Sequence, residues 1–243
     1  MGYRGVVFDL FHTLVDTEHA RPEGFHHTAA TAELLGLDHS AFRAWWDTTM
    51  YERETTPVDL VDVVERYLPD RKLTDDERAT IDGYIGVARD DVLRSPEPAM
   101  VDLVAALSER FRIGVLSNCY EREVRYWPES PFAPLVDAFV RSCDVGVMKP
   151  DALMYETVLT QLAVEARDAV YVANGASDEL VGATEHGFGH VIHVNVFDRS
   201  NGLVSADEQR RRADQADVSV ETIDGLAAAL ARVGVRRPIE KGP

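Results

Sequence analysis

A chain of 243 residues is long enough to bury a sizeable core, and it suits one large domain or a core carrying an inserted module. With 45% apolar and 28% charged residues it has an ordinary globular composition. Its formal net charge of −17 argues against nucleic acid and anionic membrane as partners, since affinity for either needs clustered Lys and Arg.

The same excess of acid leaves an anionic small molecule open as a substrate, because a few local cations decide that. No stretch approaches the roughly 18 to 20 apolar residues that cross a bilayer, and the first residues lack a long apolar signal region. The chain therefore reads as cytoplasmic. Two cysteines, Cys119 and Cys143, imply no disulfide framework and read as small buried thiols. Oligomeric state stays open, with a homodimer among the options.

The first strand is expected over 5–10, where GVVFDL runs straight into Asp9. A carboxylate at the end of a buried strand is costly unless it is used. The interval 17–94 then shows no convincing strand but repeated helix signals. Apolar residues recur at three- and four-residue spacing over 22–35 and 40–53, Pro57 opens a run over 57–68, and TDDE at 74–77 is a capping box. This predicts a helical module inserted after the first strand, with hinges over 16–21 and 94–98.

Strand and helix alternate after that: a helix over 98–110, a strand over 112–117, a strand over 138–143, a helix over 152–162, a strand over 168–173, a helix over 177–186 and a strand over 190–195. The strands are near-continuously apolar, as parallel strands covered on both faces are. A polar excursion over 196–216 precedes a last strand near Val218 and a helix over 223–233. The alternation predicts an α/β fold with a doubly wound parallel sheet.

In such sheets ligands bind beyond the carboxyl ends of the strands, where Asp9, Ser117, Asn118, Lys149, Asn174 and Asp178 all fall. Asp9 suits a covalent mechanism, attacking carbon or phosphorus to give an ester or acyl phosphate that water then opens. Lys149 can balance the Asp9 charge, Ser117 and Asn118 can hold an oxyanion, and Asp178 can anchor Lys149 or orient water.

Four segments in order, VVFDLFHTLVD, VLSN, VGVMKPD and VANGASDEL, resemble the sequence motifs of the haloacid dehalogenase (HAD) superfamily. The match covers residues 3–16 and about 96–195, and the interval between looks like that family's helical cap of the C1 type. The resemblance implies a HAD-like Rossmannoid core (1–16 and 95–243) with strand order 5-4-1-2-3, a cap (17–94), an active site between them, Asp9 as nucleophile and Thr13 as a supporting hydroxyl.

Two departures bear on the activity. Family phosphatases carry a second Asp two residues after the nucleophile as general acid, and here that position is Phe11, which cannot donate a proton. Such assistance is typically worth about 10²- to 10⁴-fold. In the pattern Gly-Asp-Gly-x-x-x-Asp of the fourth motif this chain has Ala173, Asn174, Gly175 and then Asp178. Asn174 offers Mg²⁺ a carbonyl oxygen without charge, so Asp9 and Asn174 are the candidate metal ligands only in a phosphatase. The family's 2-haloacid dehalogenases carry an aromatic at the Phe11 position, need no metal, and place a Tyr where Tyr155 stands in KPDALMY. Their cap arginine, which receives halide, aligns with Trp46, with Arg43 and Arg53 nearby.

The resemblance thus favours a dehalogenase-like hydrolase acting on a small, anionic substrate without cofactor. An Mg²⁺-dependent phosphatase and a degenerate, non-catalytic HAD fold are the alternatives. Phe11, His12, Trp46 and Tyr155 are the expected substrate contacts. His26, His27, Trp45, Met50 and Tyr51 read as packing or surface of the inserted module, Arg122 and Arg125 as candidate carboxylate ligands, and Asp75, Asp76, Asp90 and Asp91 as exposed helix ends.

Overall fold

The computed structural model describes residues 2–198 and 204–234, so part of the polar excursion (199–203) and the last residues (235–243) lie outside it. Six parallel strands, β1 (Gly5–Phe8), β2 (Arg112–Ser117), β3 (Ala138–Arg141), β4 (Ala169–Ala173), β5 (His190–Val194) and β6 (Val218–Val220), form one sheet in the order β3-β2-β1-β4-β5-β6. This contains the expected 5-4-1-2-3 order and extends it by β6 at the edge.

The buried runs in the sequence become strands because both faces are covered. On β1, Val6 and Phe8 enter one apolar cluster with Val104, Leu107, Leu226 and Leu230, while Val7 enters a second with Tyr155, Val158 and Tyr171. Helix α7 (Pro98–Ser108), with proline in its first turn, packs on the first side, and the helix Ala152–Leu162 on the second. The chain reverses its direction of build-up at β1, so the crevice at its carboxyl end is the switch point at which ligands bind in open α/β sheets.

Between β1 and α7 lie only helices: α1 (His27–Leu35), α2 (His39–Thr48), α3 (Met50–Thr55), α4 (Leu60–Glu65), α5 (Asp75–Gly86) and α6 (Asp90–Arg94). Phe42, Trp46, Leu60, Val63, Ile81 and Ile85 form a third cluster, which Tyr120 from beyond β2 joins. Val92 and Leu93 of α6 belong instead to the cluster beneath the sheet. The capping box at Thr74 and Glu77 forms as the sequence dictates.

Two expected helices are shorter. The first begins at His27 because Gly24 takes a left-handed φ of 71°, which ends any helical start at Pro22. The helix expected over 40–53 divides at Thr49, where the Thr48 and Thr49 hydroxyls donate to the carbonyls of Trp45 and Trp46.

The insertion is tied to the core by ion pairs. Arg122, which is buried, donates to Asp82 on α5 and to Asp90 on α6 at 2.8 and 2.6 Å, and Arg125 adds a second pair with Asp82. Arg122 and Arg125 are therefore engaged by carboxylates of the chain itself, and Asp90 is a half-buried partner rather than a solvated helix end. A Cβ at Gly86 would meet the Arg122 guanidinium and the Asp90 carboxylate, so a side chain there would push this pair aside.

Candidate active site

Asp9 follows β1 directly and is only 7% exposed. Its Oδ1 accepts from Lys149 Nζ at 2.5 Å and its Oδ2 from the Thr13 hydroxyl at 3.0 Å. Thr13 in turn accepts from the Asn174 backbone N–H at 3.0 Å, which joins the loops after β1 and β4. Lys149 uses all three protons: besides Asp9, it donates to Glu179 Oε2 at 2.6 Å and to the Leu116 carbonyl at 2.9 Å. Burial pulls the Lys149 pKa down, but the Asp9 and Glu179 carboxylates outweigh it and hold the ammonium above its ordinary range. Burial and the neighbouring Asp9 raise the Glu179 carboxyl, against the pull of Lys149.

The partner expected at Asp178 is thus Glu179. Asp178 sits at φ 52°, and its carboxylate is exposed and paired with Arg211 at 3.1 Å. The left-handed turn through Ser177 and Asp178 turns the next residue inward, and Glu179 is 1% exposed. The signal was in the motif: counted through, three residues after Gly175 bring the final acid of Gly-Asp-Gly-x-x-x-Asp to position 179.

Other expected contacts fall elsewhere. Tyr155 is fully buried and donates to the Glu179 carbonyl at 2.9 Å, so it supports the loop from below and does not face a ligand. Tyr171 donates to Glu179 Oε2 at 2.8 Å, completing that carboxylate's shell. The Asn118 amide is committed to the Lys149 backbone, donating to its carbonyl at 3.1 Å and accepting from its N–H at 2.7 Å. It fixes the lysine loop rather than offering an oxyanion its amide. Ser117 is fully buried, with its hydroxyl 3.5 Å from the Asn118 carbonyl.

Beyond Asp9, His12 takes φ 62°, with Nδ1 3.3 Å from Asp198 Oδ1 and Nε2 3.3 Å from the Thr17 hydroxyl. Asp198, itself buried, also accepts from the Asn174 amide at 2.9 Å and from Arg212 at 3.2 Å. These contacts bear on the fit of a metal. The Asn174 NH₂ is directed at Asp198 and its side-chain carbonyl accepts from Ala176 N–H at 3.3 Å, while both Asp9 oxygens are occupied. No group of three or more His, Cys, Asp or Glu side chains among the described residues is arranged for a cation. A carboxylate at position 174 would face Asp198 across a hydrogen-bond distance, so the amide is the residue this cluster accepts. The set present does not fit Mg²⁺ as the phosphatase pattern would require.

Toward the helical insertion, the Phe11 ring lies under Arg89, whose guanidinium carbon is 5.0 Å from the ring centre and whose Nε donates to Glu123 at 2.9 Å. Arg53 is 5% exposed and stands 4.1 Å over Trp46 and 5.6 Å from the ring of Tyr120, two residues beyond Asn118. It donates to Thr49 and to the Trp46 carbonyl, and the carboxylates of Glu54, Glu123 and Asp47 act on it from beyond hydrogen-bond distance. Glu54 beside it is half-buried; burial and Glu123 raise its pKa to about 7 against the attraction of Arg53 and Lys149. Arg53, Glu54 and Arg89 were missed as a group because a pair on one helix and a residue some 35 positions on, in a connecting turn, carry no common spacing.

Residues 3–185 match the family model of haloacid dehalogenase-like hydrolases. The chain belongs to that family. Among solved structures, an L-2-haloacid dehalogenase from Xanthobacter autotrophicus, with chloropropionic acid covalently bound, superposes with a TM-score of 0.58 at 16% identity, over 94% of this chain and 98% of that one. A HAD phosphatase from Thermococcus onnurineus superposes as well, with a TM-score of 0.59 at 16% identity, over 96% and 99%. Another L-2-haloacid dehalogenase gives 0.59 at 19% identity, over 95% and 100%. No curated protein matches the sequence. At these identities the superpositions establish the fold of this HAD-like hydrolase, and they do so for both activities equally. Among its described residues, no helix is long and apolar enough to cross a membrane.

Proposed function

We propose that this HAD-like hydrolase follows the dehalogenase-like course, with residues 17–94 as its cap: Asp9 attacks carbon in a small anionic substrate and displaces a leaving group that needs no proton. A carboxylate oxygen of Asp9 forms the new C–O bond, the carbon–leaving-group bond breaks with its electron pair, and water then opens the aspartyl ester to restore Asp9. Thr13 and Lys149 hold the carboxylate in place for attack. Arg53, a buried cation that donates only to the Thr49 hydroxyl and the Trp46 carbonyl, suits a departing anion. The observation that carries the reading is Phe11 under Arg89, where an acid would stand in a phosphatase.

The test is a panel of 2-haloacids and phosphate esters, each assayed with Mg²⁺ and with chelator. The reading expects halide release that chelator leaves intact and that Asp9→Asn abolishes, with an ester adduct on the Asp9 peptide seen by mass spectrometry under single turnover. Turnover of phosphate esters alone, and only with Mg²⁺, would sink it in favour of a phosphatase. Activity surviving Asp9→Asn would remove the nucleophile.

A further inference from the structure

Two thiols that the reaction proposed for Asp9 does not use, Cys119 and Cys143, stand side by side just beyond β2 and β3. The ladder between these strands closes with Ser117 opposite Arg141, and two residues further on Cys119 falls opposite Cys143. Ser142 carries the pairing past the ladder: its hydroxyl accepts from the Cys119 N–H at 2.9 Å and donates to the Cys119 carbonyl at 3.2 Å. Both side chains are buried, and their thiols share a hydrogen bond. Neighbouring strands lie about 4.7–4.9 Å apart, inside the span of about 4.4–6.8 Å between Cα atoms that a disulfide bridges. Burial alone leaves a thiol inert, and two features act against that here. The hydrogen bond with Cys119 holds the Cys143 pKa below its ordinary value, with Arg141 assisting against burial and the Asp144 and Glu121 carboxylates, whereas the same bond and burial raise Cys119. Arg141, Asp144 and Glu121, each within two residues of a cysteine, also line a cavity of about 680 Å³, which gives a small oxidant an approach.

We propose that Cys119 and Cys143 form a redox site, at which a hydroperoxide is reduced and the two thiols close to a disulfide that ties the ends of β2 and β3. The Cys143 thiolate attacks a peroxide oxygen, the O–O bond breaks with its electron pair on the leaving oxygen, and a sulfenic acid forms. The Cys119 sulfur then attacks the Cys143 sulfur, and the S–O bond breaks to release hydroxide, which departs as water with the Cys119 proton. Across both steps the thiols lose two electrons and two protons, and the hydroperoxide becomes an alcohol and a water, or two waters if it is hydrogen peroxide. The bridge acts where the loops of the site are anchored. Asn118, one residue before Cys119, accepts from the Lys149 N–H at 2.7 Å and donates to the Lys149 carbonyl at 3.1 Å. Lys149 in turn follows the short helix Ser142–Val145 that carries Cys143. The oxidised form therefore clamps 118–120 to 142–149, and a thiol reductant releases them.

The site is independent of the reaction proposed for Asp9, and so is its test, which needs no substrate. Folded wild type is treated with hydrogen peroxide, its free thiols are counted after denaturation, its peptides are mapped by mass spectrometry, and its backbone hydrogen exchange is compared with that of the reduced protein. Both thiols are expected to disappear together, with the Cys119 and Cys143 peptides joined within one chain, and dithiothreitol should restore both. Exchange across 118–120 and 142–149 should slow by about tenfold or more in the oxidised protein. Cys119→Ala should retain a sulfenic acid that dimedone traps at Cys143, while Cys143→Ala should lower the peroxide reactivity of the remaining thiol by about tenfold or more. Thiols that persist in the folded protein under peroxide that oxidises free cysteine would overturn the proposal. So would sulfinic acid formed without a bridge, bridges formed only between molecules, or unaltered exchange in the two stretches. Equal reactivity of the two single variants would overturn the assignment of Cys143 as the attacking thiol.

Discussion

Two polar regions, one around Lys149 and one around Arg53, are built on opposite terms. Around Lys149 every charge is spoken for: Asp9, Glu179 and the Leu116 carbonyl take its three protons, and Tyr171 and Tyr155 close the shell on Glu179. In the helical insertion, Arg53 is buried and donates only to neutral groups, while Glu54 beside it has its pKa raised to about 7. A satisfied buried network holds one geometry, because any rotation would strand a charge. A buried charge bonded only to neutral groups is incompletely compensated, and a ligand of opposite sign would relieve it. The first region therefore suits a fixed nucleophile and the second the recognition of what arrives.

The largest effect should come from breaking the satisfied side. Lys149→Met leaves Asp9 and Glu179 facing each other in the interior, and removing one partner of a buried charge cluster costs about 3–5 kcal/mol. Urea unfolding at pH 7 should show that loss together with abolished turnover. A small change would mean that the network contributes less than its burial indicates.

Glu54→Gln probes the other side through pH. The folded pKa of about 7 lies above the ordinary value of 4.5, so the folded state binds the extra proton between those values, and wild-type stability falls as pH rises through that window. Glutamine should abolish this fall, making the variant more stable than wild type at pH 8 by up to about 3 kcal/mol and no more stable at pH 4. Parallel pH dependence of the two proteins would remove Glu54 from the account. His27 acts with the opposite sign, its lowered pKa removing stability as pH falls from 6.5 toward about 4.

The smallest effects discriminate between neighbours. Glu179→Gln should cost about 1–3 kcal/mol and slow turnover, as loss of a charged hydrogen-bond partner does. Asp178→Asn, exposed and paired only with Arg211, should stay within about 0.5 kcal/mol of wild type with unchanged turnover. The reverse order, measured on the same two variants, would return the Lys149 anchor to Asp178.

Much of the architecture was legible in the chain. The apolar runs at β1, β2, β4 and β5 and the helix over 152–162 follow from local periodicity, and the capping box at Thr74 needs only residues three apart. The division of the 40–53 helix was not legible, since it rests on threonine hydroxyls choosing a carbonyl over solvent. Tyr155 shows the limit of position alone: the spacing from Lys149 is as the motif has it, yet the side chain points beneath the loop. Glu179 was one count away, concealed by a left-handed turn that spacing does not reveal.

The sequence by itself determined the family, the parallel sheet, the helical insertion and the placing of Asp9 just past β1 and of Lys149 in the loop region after β3, because those depend on short patterns read along the chain. Which charges are matched and which are left over was decided by tertiary structure alone. Lys149 meets Asp9 across 140 positions, Arg122 meets Asp82 across 40, and Asn174 meets Asp198 across 24. An ion pair's energy depends on distance and burial, and neither is encoded in local spacing.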